Sequence, residues 1–307
     1  MQAPAGAAAA PAMLPADDAQ SLATEQAALN AARTYLAQDK PGSAEAIARA
    51  ALAKWPDRQS LNLLLGETLL HLGRKPEAYD CYDRAIIIGP DHPEYRFAAG
   101  TIAAEIGRFD EAELHYLAAQ GQDPKNPKYP LYLAQVQRKR GAGDEARASL
   151  VLATKLDPDL GVAWAALAAL ALDENRPQVA LPYIERARRL EPSRMDWRLI
   201  EAKALVRDGR AEDAATLLLA VPDEERLRNL VAVRELAGAL GMLNRPAEAA
   251  EQYIAALAFD SSCQECAFEA ACWLERAGDR NRAAVFASHA AALGHREAAE
   301  MLDRLGR

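Results

Sequence analysis

Residues 107–116 read GRFDEAELHY, with Asp110 and Glu111 adjacent and Glu113 two further on. Paired carboxylates can hold a magnesium ion or exchange protons with a substrate, and an Asp-Glu pair at the end of a buried strand serves many nucleotide hydrolases. A second candidate is CQECAFEAAC (263–272), which supplies Cys263, Cys266 and Cys272. Its C-x-x-C spacing is half of a zinc site, or a pair able to close a disulfide. No second pair occurs and His289 stands a helix away without a partner, so free thiols are the expectation, with a disulfide or redox pair as the alternative. Cys81, beside Tyr82, reads as a small packing residue. The histidines His71, His92, His115, His289 and His295 form no ligand spacing, and each has a solvent or turn reading. The chain has no Gly-x-x-x-x-Gly-Lys-Ser/Thr loop, nucleophile elbow or zincin motif, so no cofactor or metal is expected.

Any such chemistry needs elements to hold it. The chain has 307 residues, half of them apolar, with abundant alanine and only 6% aromatics. Small, helix-favouring side chains suit closely packed helices better than a sandwich of bulky strands, so the expected class is all-α. A net charge of −8 opposes phosphate backbones and anionic lipid, which argues against a nucleic-acid partner. No apolar run approaches the ~20 residues of a bilayer span, so membrane insertion is not expected. The first residues, MQAPAGAAAAPAMLPADDAQ, lack the basic and apolar regions of a secretory signal. The expected compartment is cytoplasmic, or periplasmic if an upstream signal peptide was removed. The Ala/Pro-rich residues 1–22 bury too little surface to repay ordering and read as a disordered tail.

The candidate carboxylates recur, which changes their meaning. Related stretches are GRKPEAYDCY (73–82), GAGDEARASL (141–150), NRPQVALPYI (175–184), GRAEDAATLL (209–218), NRPAEAAEQY (244–253) and GDRNRAAVFA (278–287), with a weaker first copy DKPGSAEAIA (39–48). Aligned on one alanine they give Ala44, Ala78, Ala112, Ala146, Ala180, Ala214, Ala249 and Ala283, spaced 34 apart except for one step of 35. Twelve before each stands Ala or Gly, from Ala32 and Gly66 to Ala271; seven after each comes a small residue, from Ala51 to Ala290. Small side chains at these intervals let two helices cross closely. Five before each anchor is Gly, Asn or Asp, the types that tolerate the left-handed backbone ending a helix. Pro56, Pro90, Pro124, Pro158 and Pro192 stop the second helix of the first five copies. Each copy is therefore helix, tight turn, helix. Asp110 and Glu111 fall in the first turn of a second helix, where carboxylates favour the positive end of the helix dipole.

With this period and its small–aromatic–small–Pro pattern, the chain resembles the tetratricopeptide repeat family across about residues 25–294. Unit two (61–90) holds Gly66, Ala78, Tyr82, Ala85 and Pro90 in family positions, and unit five holds Trp164, Leu167, Ala168, Ala180, Ala187 and Pro192. The resemblance implies a right-handed α-solenoid, a superhelix of about eight helix-turn-helix units. The organisation read from it is a tail at 1–22, a solenoid at 23–294 with units starting near 25, 59, 93, 127, 161, 195, 230 and 264, and a solvating cap helix at 295–307. The cap, REAAEMLDRL (296–305), has an apolar stripe of Ala299, Leu302 and Leu305. At unit six, Pro222 follows Val221, and the sequence from Asp223 to about Asn244 reads as one unusually long helix.

In this family the first helix of each unit lines a concave groove. The resemblance places there Leu63, Glu67 and Leu70; Phe97 and Thr101; Leu131, Gln135, Arg138 and Lys139; Ala169; and Leu199 and Lys203. Packing within the superhelix is the alternative for several, Leu63 and Leu131 among them. The implied groove is apolar along its floor and basic in units four to six, suited to a peptide or amphipathic helix with apolar anchors and some acidic residues. The Lys and Asn of a chaperone-type dicarboxylate clamp are missing, with residues such as Leu63, Glu67, Phe97 and Thr101 in the corresponding places. The resulting expectation is a non-enzymatic protein-binding scaffold or adaptor of bacterial type. The alternative is a structural component of an envelope or secretion complex, acting through the convex face and solenoid ends. The tail, with Met13, Leu14, Asp17 and Asp18, has the apolar and acidic character to occupy the groove itself.

Overall fold

The computed structural model describes residues 24–306, which form eighteen α-helices and no strand. Readings that concern the tail, including its docking in the groove, fall outside these residues.

One compact unit runs through Asp157. It contains four helix pairs: α1 (Glu25–Ala37) with α2 (Pro41–Lys54), α3 (Gln59–His71) with α4 (Lys75–Ile88), α5 (Pro93–Glu105) with α6 (Phe109–Gln122), and α7 (Lys128–Lys139) with α8 (Gly143–Leu156). The second unit begins at Pro158. Its pairs are α9 (Gly161–Asp173) with α10 (Pro177–Leu190), and α11 (Met195–Arg207) with the shortened α12 (Ala211–Leu219). A six-residue helix α13 (Asp223–Arg228) follows, then α14 (Leu230–Met242) with α15 (Pro246–Leu257), α16 (Gln264–Arg276) with α17 (Arg280–Ala292), and α18 (Ala298–Leu305).

The repeated residue types explain the pairing. All eight anchor alanines, Ala44 through Ala283, are 0% exposed, because they stand where two helices cross too closely for a larger side chain. Gly100 shows how tight the crossing is: a Cβ there would lie 2.9 Å from the Tyr116 ring. The turns are equally direct. Asp39, Asn175 and Asn244 have φ of 56–57°, and Gly73, Gly107, Gly141, Gly209 and Gly278 have φ of 72–84°. At Gly107 the chain bonds back, Gly107 N to Ala104 O at 3.2 Å and Arg108 N to Ala103 O at 2.8 Å, satisfying carbonyls that the helix end would leave unpaired.

Two details depart from the sequence reading. The long helix expected from Asp223 is broken at Asn229, whose side-chain oxygen accepts from Val231 N (3.1 Å) and Ala232 N (3.2 Å) and starts α14 afresh. Just before it, Arg226 is buried and donates to Val221 O (3.0 Å), Asp223 (2.6 Å) and Gln252 (3.3 Å), anchoring α13 across to α15. In α18 the buried positions are Ala298 and Met301, with Leu302 and Leu305 partly covered, whereas Ala299 is exposed. The stripe thus begins one residue earlier than expected. Met301 fills the end of the core made by Ala271, Leu274, Ala283 and Ala287, and Arg304 adds a forked pair with Glu275 at 3.1 and 2.8 Å.

Candidate functional site

Within the first unit, first helices of neighbouring pairs leave open clefts. One of about 420 Å³ is lined by Arg33, Ser60, Leu63, Glu67, Tyr82 and Tyr95, among others. It brings together Leu63 and Glu67 of the groove set. Another, of about 270 Å³, lies between α5, α6 and α7 and is bordered by Thr101, Ala104, Phe109, Tyr132, Gln135 and Lys139. It gathers Thr101, Gln135 and Lys139.

The floor of the second cleft is aromatic. Phe97 contacts Tyr132 edge-on, with centroids 4.9 Å apart, and lies 5.7 Å from both Tyr116 and Tyr129. Tyr116 is 1% exposed, and its hydroxyl donates to Thr101 Oγ1 at 3.2 Å while Thr101 Oγ1 donates to Phe97 O at 2.9 Å. Burial pushes the Tyr116 phenol up to about 12, so it stays a neutral donor. Phe97 therefore supports the cleft from behind. Leu131, 6% exposed, takes the packing role that the sequence left open. Leu70 and Leu199 lie partly buried against the cores of their own units, and Ala169 is half-buried. Arg138 and Lys203 are exposed, and neither borders the clefts just described. Tyr132, Phe109 and Val136 escaped the sequence reading although they line the second cleft. Their positions in the unit were legible, but the approach of α6 and α7 that brings them to one cleft was not.

The carboxylates that looked catalytic are engaged by basic and amide side chains. Asp110 pairs with Arg140 Nε at 2.8 Å. Glu113 accepts from Gln137 at 3.0 Å and pairs with the same Arg140, while Glu111 lies 3.7 Å from Arg108. Together they tie α6 to α7 and to the preceding turn. Among the described residues, no group of three or more His, Cys, Asp or Glu side chains converges as a metal would require. His115 differs from its expected solvent role. It is buried, with Nε2 3.2 Å from the Tyr79 hydroxyl, and burial followed by nearby Arg96 holds its pKa below 6.5.

At the cysteines the free-thiol expectation is corrected for one pair: Cys263 and Cys266 are joined in a disulfide, with Cα atoms 5.3 Å apart. Cys81 and Cys272 are free, and burial pushes each thiol up to about 11. The helix start explains the bonded pair. Cys263 is the N-cap of α16, and its first turn brings the residue three positions later under it.

The tetratricopeptide repeat model matches residues 29–93, 80–127, 97–160 and 165–226, more than half of the sequence. The chain belongs to the tetratricopeptide repeat family. Solved structures agree on the fold. A tetratricopeptide repeat protein from Parabacteroides merdae is 15% identical with a TM-score of 0.60, the match covering 81% of this chain and 99% of that one. YrrB, a TPR protein with an unusual peptide-binding site, is 16% identical with a TM-score of 0.53 over 63% of this chain and 96% of its own. The Cut9–Hcn1 hetero-tetramer of the APC/C gives 14% identity and a TM-score of 0.53, covering 92% of this chain and 56% of that one. At these identities the likeness concerns the all-α TPR solenoid alone. No match was found among curated proteins. The TPR fold supports a protein–protein interaction scaffold in general, its members binding protein or peptide partners. No described helix is long and apolar enough to cross a membrane.

Proposed function

We propose that this TPR protein is a non-enzymatic adaptor that binds an extended peptide or amphipathic helix in the clefts of its first unit. The observation that carries this reading is the cleft between α5, α6 and α7, where an aromatic floor meets a polar rim of Gln135, Lys139 and Glu105. An apolar anchor would seat against Tyr132 and Phe109 while an acidic neighbour pairs with Lys139. YrrB, with its peptide-binding site, is a relative in fold that supports the same mode. Phe97 and Leu131 are unsuitable probes, since their loss would damage packing. Ala104 borders the cleft and is partly covered, so Ala104→Arg fills the space with little disturbance to the core. Partners captured by the intact chain should bind at least about tenfold more weakly to Ala104→Arg and to Lys139→Glu, measured by pull-down and titration. Undiminished capture by both folded variants would rule the cleft out.

A second reading, a structural component of a larger assembly engaged outside the groove, draws on exposed apolar side chains. Ile87, Leu114 and Leu117 are 76%, 68% and 47% exposed on α4 and α6, outside the lining of both clefts. If Leu114→Asp with Leu117→Asp abolishes capture while Ala104→Arg does not, this second reading replaces the first. The disulfide favours an exported location over a reducing cytosol, where such a pair would be transient.

A further inference from the structure

The Cys263–Cys266 disulfide links the N-cap of α16 to its own first turn and joins no two elements. A loop with only two intervening residues restricts the unfolded chain little compared with a long-range cross-link, so a stabilising role explains it poorly. Its surroundings fit exchange chemistry instead. Cys266 is buried at 4% exposure, whereas Cys263 is partly exposed. Both border a cleft of about 190 Å³ in the second unit, with Leu227, Leu230, Ala256 and Phe259 along its apolar wall. The Arg228 guanidinium sits 5.3 Å from the centre of the Phe259 ring and brings positive charge to the same cleft, which Asp260 also borders. Cys263 Sγ accepts the Cys266 N–H at 3.1 Å, a donor that would remain to stabilise a thiolate after reduction.

We propose that Cys263–Cys266 is a thiol–disulfide exchange site whose co-reactant is a protein or small-molecule thiol entering through the Leu227–Phe259 cleft. The incoming thiolate attacks Sγ of Cys263, the partly exposed sulfur. A bond forms between the two sulfurs, the Sγ263–Sγ266 bond breaks, and its electron pair leaves on Cys266, which takes a proton from water. A second thiolate attacks the incoming sulfur of the mixed disulfide and releases Cys263 as thiolate. The net result is two external thiols oxidised to a disulfide and the protein pair reduced by two electrons. A disulfide-bearing partner would run the same steps in reverse, with Cys263 as nucleophile and Cys266 as the resolving thiol.

The test uses the full folded chain. Dithiothreitol is added under native conditions, thiols are trapped with N-ethylmaleimide, and modified positions are mapped by mass spectrometry while circular dichroism monitors the fold. Cys263 and Cys266 should open without unfolding and be trapped ahead of the half-buried Cys81 and Cys272. Single variants assign the sulfurs: with glutathione disulfide, Cys263 of Cys266→Ser should form a mixed disulfide at least about tenfold faster than Cys266 of Cys263→Ser. Serine can also cap the helix at 263, which keeps that variant folded. A pair that opens only in denaturant, or equal rates at the two sulfurs, would overturn the proposal. Should either variant fail to fold, native reduction of the unaltered chain decides alone.

Discussion

At residue scale, the crossing points have the least tolerance. Gly100 faces the Tyr116 ring, itself 1% exposed and held between Phe97 and Thr101, so neither partner can yield easily. Gly100→Val should cost about 1–3 kcal/mol by overpacking, read as a lower denaturant midpoint. His115 has the opposite kind of constraint, being a titratable group kept neutral. Its folded pKa lies below 6.5, through burial first and Arg96 second, while Asp83, Asp91 and Glu111 oppose the shift. In the window between the folded value and 6.5 the unfolded chain binds the extra proton, so stability falls as pH drops through that window. His115→Gln keeps a partner for the Tyr79 hydroxyl and should lose less stability than the unaltered chain between pH ~7.5 and ~5.5, compared by chemical denaturation. The anchor alanines and turn glycines were legible from their repetition. The burial of His115 was not, because its surroundings come from Tyr79 and Asp83, more than thirty residues earlier.

At the scale of elements, the joint between α12 and α14 is the irregular part of the repeat. A helix broken at Asn229 depends on that side chain for two otherwise unpaired N–H groups. Asn229→Ala should destabilise by about 0.5–2 kcal/mol, and the faster amide exchange should centre on the first turn of α14. Leu227 and Arg228, just before this break, border the disulfide cleft, so the irregular joint contributes to a site as well as a turn. Sequence periodicity located this joint but merged α13 and α14. The apolar periodicity runs on through Asn229, whereas the side-chain cap at Asn229 and the buried Arg226, bonded to Val221 and Gln252, together turn the chain there.

At the scale of the whole molecule, stability in a repeat protein is a sum of unit terms and nearest-neighbour contacts, so an end unit needs covering. Deleting residues 295–307 would uncover the core around Leu274, Ala283 and Ala287 that Met301 now fills. A loss of at least about 2 kcal/mol is expected, with hydrogen exchange rising most in α16 and α17 and fading toward α9. The sequence by itself determined the class, the helix-turn-helix unit, the left-handed turns and the buried small residues. Each of these follows from local backbone preference and a periodic requirement for close approach, and both are written in single residues and their spacing. It also showed that the Asp110–Glu111 pair begins a helix. Only the tertiary structure decided which groove candidates border open space and which, like Leu131, pack inside. It also decided that Arg140 engages Asp110 and Glu113, and that the disulfide borders a cleft made with α13 and α15. Exposure and charge pairing depend on helices distant in sequence, and no single repeat carries that information.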